Sequence, residues 1–495
     1  MEEIESLNKK RKTDLITIFG YVMFITYPLI FHDFYYDIVT CKFVFFIVVT
    51  IVFLVLILIF NKDKKTDEND RISTEERMIL VLVLINSISF FLSDYKYEAL
   101  IGADGRNNGM LTIIAYLVIC LCILGSKVNK EKILFAVIIG SVPVSIFGIF
   151  NFINIDLLGF YNDLSMQYKQ FYMSTLGHVN VYSSYFAITI PVVLAYYFRA
   201  EKLGFKIAYY MISVVNIAAL ICSGCESTVL ILFIAVLCNI IREKKLNISK
   251  WYILMLAVLI INKILVNFNE SQNEKRILSK FMEILSYEKV IFSLVFIFAI
   301  FILIDLIRKS EVKSKIIKII VIISFIAGIL IYISMFIYFT FIDENRNLGE
   351  WSSLLRFNDE FGSYRGYIWR IVIEEFNDLS MLKKIFGIGP DVLYPLVYEK
   401  YGNEMYKVTN AYYDNAHNEI LQYLITTGIA GVVTYILFLA TKVKRFISLK
   451  GQSEFNKILM CSCICYFFQS FVNINQVVTT PLFVIMLCML NSKEV

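Results

Sequence analysis

Two kinds of side chain in this sequence could do chemistry together: a histidine at the edge of a membrane-length apolar run, and several arginines in the polar stretches near it. At Asp414-Asn415-Ala416-His417-Asn418-Glu419 the longest polar segment of a very apolar chain ends and an apolar run begins. An imidazole at such a seam handles protons near neutral pH, with hydrocarbon on one side and a folded loop on the other. It can take a proton from a hydroxyl as that hydroxyl attacks. Arginine forks hold phosphate oxygens through paired N–H groups and stay charged beside a low-dielectric boundary, where a lysine can lose its proton. Arg365, Arg356 and Arg370 lie in the same polar segment as the histidine, and Arg106 lies in the turn-rich run Gly105-Arg106-Asn107-Asn108-Gly109. An anionic lipid-linked donor and a hydroxyl acceptor would use both kinds of group.

Plainer roles are open to each residue. A lone histidine at a helix start is often a cap or an interfacial residue, and Arg365 could pair with a loop carboxylate or a lipid phosphate. Trp369 suits a membrane-interface anchor. Asp33 and Asp37, in the first polar loop, could act as acid, base or metal ligands, although loop carboxylates are usually just solvated. Other chemistries find less support. No glycine-rich loop ends in Gly-Lys-Ser/Thr, and Phe386-Gly387-Ile388-Gly389-Pro390 lacks the third glycine of a dinucleotide fingerprint. The chain has 3 histidines and no cluster with metal-ligand spacing, so neither a metal nor a cofactor is expected. The absence of an Asp-x-Asp element disfavours a soluble nucleotide-sugar donor. The 10 cysteines lie mostly in apolar runs and read as small buried hydrophobes.

The elements that must position these groups are helices in a bilayer. Of 495 residues, 58% are hydrophobic and 18% charged, the composition of a polytopic membrane protein. Runs long enough to span recur along the chain, about fourteen of them, giving an all-α transmembrane fold. Lys and Arg concentrate in every second connection, among them Asn61–Arg77, Arg199–Lys206, Arg308–Lys318 and Thr441–Lys457. That alternation places both termini in the cytoplasm and the 342–416 segment outside. The net charge of +5 then reflects anionic membrane lipids as partners, not nucleic acid. Three parts follow: a bundle over 1–341 with about 11 spans, an extracytoplasmic loop over 342–416, and C-terminal helices over 417–495. The loop is too long for a mere connector. Within it, helical spacing from Tyr364 to Asn377 puts Arg365, Trp369 and Val372 on one face. The third outward loop carries Tyr161, Tyr168, Tyr172 and His178 and leads through Asn180 into a span; its aromatics suit an interfacial belt. Asn269 to Lys289 has the spacing of an amphipathic helix lying on the outer surface.

Over Ser363 to Leu439 the sequence resembles the O-antigen ligase and polymerase superfamily of bacterial membrane glycosyltransferases. The resemblance is carried by Tyr364-Arg365-Gly366-Tyr367-Ile368-Trp369, Phe386-Gly387-Ile388-Gly389-Pro390-Asp391, Ala416-His417-Asn418-Glu419-Ile420-Leu421-Gln422 and Thr427-Gly428-Ile429-Ala430-Gly431, in that order. Weaker similarities lie at Gly105–Gly109, at Gly177-His178-Val179-Asn180, whose asparagine opens a middle span, and at Gln469-Ser470-Phe471-Val472-Asn473. The resemblance implies a GT-C-like, inverting, metal-independent transfer of glycan from an undecaprenyl diphosphate-linked oligosaccharide to a hydroxyl acceptor, on the outer face of the cytoplasmic membrane. Carried over, Arg365 would hold the diphosphate and His417 would activate or orient the acceptor, with Asn180, Trp369 and Asn418 near the substrate. Family members often carry a second arginine in a Ser-Arg-Gly turn; this chain reads Cys222-Ser223-Gly224-Cys225-Glu226-Ser227 there. Arg106, Arg356 and Arg370 are the candidates to replace it.

Between polymerase and ligase, an Ile/Lys/Asn/Tyr-rich composition leans towards a polymerase or a related surface-polysaccharide enzyme. Two rivals stand beside it. A lipid-linked oligosaccharide flippase would show two related halves with broken helices. A glycosyltransferase using polyprenyl monophosphate sugars would rely on Asp33 or Asp37.

Overall fold

The computed structural model describes residues 2–60, 72–160, 164–244, 246–307, 311–449, 451–473 and 475–494. Most of the basic connection at Asn61–Arg77, the start of the one at Arg308–Lys318, and Tyr161 lie outside the described residues.

In hydrocarbon every backbone N–H and C=O must find its partner within its own segment, so apolar runs coil into helices. Among the described residues, seven helices are long and apolar enough to cross a membrane: Ile38–Phe60, Lys130–Phe152, Val179–Arg199, Leu203–Cys222, Ile248–Ser271, Lys318–Phe341 and Glu419–Ser448. The molecule is an all-α membrane protein. The gap between seven and the fourteen runs read from the sequence lies partly in shorter apolar helices such as Met110–Ile123, Ser227–Arg242 and Thr480–Met489. The first of these rises only ~21 Å at 1.5 Å per residue. Described β-structure is confined to two ladders of two residues per strand, Lys127–Val128 with Lys493–Glu494 and Tyr172–Met173 with Gly177–His178.

The helices that build the site are α1 (Thr74–Leu92), α2 (Met110–Ile123), α3 (Lys130–Phe152), α4 (Val179–Arg199), α5 (Leu203–Cys222), α6 (Ser227–Arg242), α7 (Phe361–Asp378), α8 (Leu393–Thr409), α9 (Glu419–Ser448), α10 (Glu454–Ser470) and α11 (Thr480–Met489). Helix α4 is the axis of one half and packs against α3, α5, α6 and α10. Its polar groups are matched across the contact with α10: Ser462 donates to the Ile188 carbonyl at 3.0 Å and Gln469 to Ser184 Oγ at 2.8 Å. In the other half α9 packs on α1, and α2 packs on α1 and α11.

Helix α9 breaks at Gly428, whose φ of 68° and ψ of −173° suit glycine and few other residues. The break frees the carbonyls of Ile425 and Thr426, and the 386–390 turn fills them: Ile388 N–H donates to Ile425 O at 3.1 Å and Gly389 N–H to Thr426 O at 3.2 Å. The two chains meet glycine to glycine. A Cβ on Gly387 would sit 2.1 Å from Thr426 O, and one on Gly428 would sit 2.3 Å from Ile385 O. Sequence order alone shows the two motifs; their backbone approach explains why both carry glycine.

Above this joint Tyr367, Ile368, Ile371 and Val372 of α7 bury against Val392, Leu393, Val397 and Met405, forming a second core that includes Ala416 and Ile425. The stretch read as a surface amphipathic helix is different: between the end of the Ile248–Ser271 helix and the start of the Glu288–Ile307 helix, only Lys280–Ser286 is helical. Arg276 is buried, with its backbone held by Asn269 and its guanidinium donating to Asn151 O at 2.8 Å near the end of α3. A charge that periodicity assigned to solvent instead satisfies a helix-terminal carbonyl.

Candidate functional site

His417 sits in a tight turn just before α9, with φ of 46°. Its neighbours hold it there. His417 N–H donates to Asn415 Oδ1 at 2.6 Å, Ala416 N–H to Gln422 Oε1 at 3.0 Å, and Asn418 caps the helix by accepting from Leu421 N–H at 3.1 Å. Trp369 reaches across from α7 and donates its indole N–H to Ala416 O at 2.8 Å. Trp369 therefore ties the arginine helix to the histidine turn.

Arg365 leaves α7 directly after Gly362, Ser363 and Tyr364, three consecutive residues with left-handed backbone. Such a kink is costly and persists where the surroundings enforce it. Tyr413 OH donates to Ser363 O at 2.7 Å, and the Tyr413 ring stands edge-on to the His417 ring, centroids 5.4 Å apart. One tyrosine thus braces both the arginine's kink and the imidazole. Arg365 Nη1 donates to Gly362 O at 2.5 Å, while its buried Nε has no hydrogen-bond partner among the described residues.

The 102–109 turn docks from a distant part of the chain. Asp391 Oδ2 accepts from the backbone N–H groups of Ala103 and Asn108, both at 3.0 Å, and Asn108 Nδ2 donates to Asn475 O at 3.0 Å. Arg106 is thereby aimed at Asp414, with Nε donating to Oδ2 at 2.7 Å and Nη2 to Oδ1. Its Nη1 is buried and unpartnered among the described residues. A third wall is His178, the N-cap of α4, whose Nδ1 accepts from Asn180 N–H at 3.2 Å. The proton of its neutral ring is then on Nε2. Asn180 is occupied structurally: its side chain accepts from Cys225 Sγ at 3.4 Å and its carbonyl from Asn473 Nδ2 at 3.0 Å.

Electrostatic interactions link these walls to one another. Burial, then the nearby cations of Arg365 and Arg106 and the His178 ring, hold His417 well below the ordinary histidine range. Burial and Arg106 push His178 down to about 4, against the pull of Asp414. Arg365 feels Tyr413 and also Cys225, so the Cys222–Ser227 turn, where the second family arginine was expected, does border the site. Burial raises Asp391 to about 7, against its two N–H bonds and Arg106. The result is a half-buried neutral imidazole beside two guanidinium groups that each keep a nitrogen unpartnered among the described residues. His417 Nδ1 is likewise unpartnered among the described residues.

Of the three arginines proposed to replace the missing one, the structure brings only Arg106 to the histidine. Arg356 donates to the carbonyls of Phe339 at 3.0 Å, Asp343 at 3.1 Å and Arg346 at 2.8 Å, closing the end of the Glu311–Phe341 helix. Arg370 is held by Asp359 at 3.0 Å and Glu374 at 3.2 Å. Asp37 accepts from Asp33 N–H at 2.8 Å and contacts the exposed His32 at 3.0 Å, a local turn. Sequence reading missed Asp391, Asp414 and Tyr413 as site residues, and left His178 in an aromatic belt. The Asp391 and Asp414 partners lie hundreds of residues away, and no local spacing signals them. Among the described residues no group of three or more His, Cys, Asp or Glu side chains is placed to hold a metal ion.

Beneath the histidine turn is a narrow cavity of about 170 Å³. Asp391, Asn415 and Asn418 line its polar end, and Ile79, Phe438 and Leu487 its apolar end. Both arms of the broken α9 line it, Glu419, Tyr423 and Thr427 before Gly428 and Tyr435 and Phe438 after it, with the Tyr423 and Tyr435 rings stacked 4.7 Å apart. At the top Glu419 is buried and accepts from Ser470 at 2.6 Å, from Tyr435 at 2.9 Å and from Asn475.

No curated protein matches the chain. A family model described as O-antigen ligase matches residues 277–436, which include Arg365, Trp369, Asp391, Asp414 and His417 but neither Arg106 nor His178. The match over this segment supports the O-antigen ligase superfamily.

Proposed function

We propose that the protein is a surface-polysaccharide polymerase or ligase that moves a glycan from undecaprenyl diphosphate to a hydroxyl acceptor on the outer face of the cytoplasmic membrane. The reading includes a GT-C-like fold of about fourteen spans, divided at 342 and 417, and an inverting, metal-independent reaction. One observation carries it: two guanidinium groups with nitrogens unpartnered among the described residues stand beside a neutral imidazole, over a mainly apolar cavity. The cavity suits a lipid chain and the guanidiniums a diphosphate.

In this reading the acceptor oxygen attacks the anomeric carbon, the new C–O bond forms as the bond to the diphosphate breaks, and the electron pair leaves on the phosphate oxygen. His417 takes the hydroxyl proton and later releases it to water. Arg365 and Arg106 meet charge that grows as the diphosphate departs, so they favour the transition state over the ground state. The same cations depress the basicity of His417 while the site is empty. A bound diphosphate offsets their charge, so the base strengthens once the donor is seated. Trp369 and Asn418 hold the turn, and Asn180 holds the opposite wall.

The test is reconstitution in lipid nanodiscs with undecaprenyl diphosphate-linked oligosaccharide and a glycan acceptor, scoring glycan transfer and released polyprenyl diphosphate. Arg365→Ala and His417→Ala are each expected to lose transfer by on the order of 100-fold or more. Full activity in both, at normal expression, refutes the assignment.

A further inference from the structure

Four tyrosines outside the site form a continuous surface track. The rings of Tyr394 and Tyr398 lie 5.4 Å apart, Tyr398 and Tyr412 5.4 Å, and Tyr412 and Tyr406 5.3 Å. Tyr398, Tyr406 and Tyr412 are 47%, 50% and 49% exposed. From Tyr394 to Tyr406 helix α8 rises ~18 Å, room for several sugar rings. Gly402 lies under the Tyr398 ring, where a Cβ would come within 3.3 Å of it. The helix backbone itself is therefore the bed on which that ring rests.

Such a row of exposed rings has no packing role, because α8 buries its other face through Leu393, Val397 and Met405. A lipid-facing belt is the obvious alternative, but exposed Glu399, Asn403 and Lys407 flank the track and keep it wet. Rings with hydroxyl tips in polar company suit a ligand that has apolar C–H faces edged by hydroxyls, which is a sugar chain. The track also leads to the site. Tyr394 is within electrostatic reach of Asp414 and Asp104. Tyr412 is followed directly by Tyr413, which faces His417, and by Asp414, which pairs with Arg106.

We infer that Tyr394, Tyr398, Tyr412 and Tyr406 form a binding platform for the glycan chain, laying accepted or growing polysaccharide away from the histidine. This inference rests on the proposed glycosyl transfer, since it assumes that a glycan reaches His417. It accounts for a feature the transfer chemistry does not need, and it concerns chain length more than bond formation.

The experiment uses the full chain in nanodiscs, without donor, and measures binding of oligosaccharides of one to four repeat units released by mild acid from the native lipid-linked glycan. Affinity is expected to rise with length for the wild type and for the Tyr398→Phe/Tyr412→Phe pair. In Tyr398→Ala/Tyr412→Ala the four-unit oligosaccharide is expected to bind on the order of tenfold more weakly, equivalent to about 1.4 kcal/mol. Tyr406→Ala, at the far end, should weaken only the longest oligosaccharides and serves if the double variant fails to fold. Wild-type affinity that does not grow with length, or a folded alanine pair that binds like wild type, overturns the platform. Looser membrane retention of the alanine pair with unchanged glycan binding makes the track a lipid anchor, which also overturns it. Binding needs no donor, so its outcome is separate from the transfer assay: a wild type that binds glycan by length yet transfers nothing refutes the proposed function alone.

Discussion

Replacing Asp391 with asparagine should remove a pH dependence of stability. In the folded protein its carboxyl is buried, accepts two N–H bonds, and is raised from 3.8 to about 7. At 1.36 kcal/mol per pKa unit, the ionised form is disfavoured in the folded state relative to the unfolded chain by on the order of 4 kcal/mol. The sign follows from proton counting. Between about pH 4 and 7 the folded state keeps a proton that the unfolded chain has lost, so this contribution to stability is full below pH 4 and falls as pH rises to 7. The asparagine side chain cannot ionise, and its amide oxygen can still accept from Ala103 and Asn108. Thermal unfolding followed by tryptophan fluorescence from pH 5 to 8 should therefore show wild type losing stability relative to Asp391→Asn, with the variant ahead above pH 7. Asp391→Ala should fall below Asp391→Asn at all pH values, by about 2 kcal/mol or more, because two buried N–H groups lose their acceptor. Parallel wild-type and Asp391→Asn curves would refute the raised pKa. An Asp391→Ala variant as stable as Asp391→Asn would refute the clamp.

Three further outcomes follow from the same geometry. Asp414→Ala leaves the buried Arg106 guanidinium uncompensated and should cost about 3–5 kcal/mol; Arg106→Met in the same chain should restore much of that, a double-mutant cycle read by thermal unfolding. Arg106→Gln removes a cation that holds His417 down, so the acid limb of the pH–rate profile should move to higher pH, and an unmoved limb would separate Arg106 from the base. Gly428→Ala meets both a positive φ and the Ile385 carbonyl, and should lower the unfolding midpoint sharply, whereas Gly451→Ala, with equally positive φ of 73° but open space around it, should cost only the backbone strain.

Residues whose message is local were legible in the sequence. Arg365 and Trp369 share a helix face, His417 and Asn418 open an apolar helix, and each was readable from spacing and from resemblance. What spacing cannot show is which distant group meets which. Arg106, Arg356 and Arg370 looked equivalent as charges; the structure separates them because Arg356 satisfies helix-end carbonyls, Arg370 meets Asp359 and Glu374, and Arg106 is swung inwards by Asp391. Arg276 misled for the same reason, since periodicity assumes an exposed charge is solvated and has no term for a carbonyl donated by another helix. The tyrosine track was equally hidden: Tyr394, Tyr398 and Tyr406 share one helix, but Tyr412 joins them from a loop.

The clamp of Asp391 on the 102–109 turn has an evolutionary corollary. Arg106 lies outside the segment matched by the family model, yet its position is dictated from inside that segment by Asp391 and Asp414. A chimaera that swaps only residues 277–436 between relatives would separate the guanidinium from the carboxylates that aim it. Functional exchange should require the early turn to travel with the late segment, so the two are expected to diversify together, as a single inherited unit split across the gene.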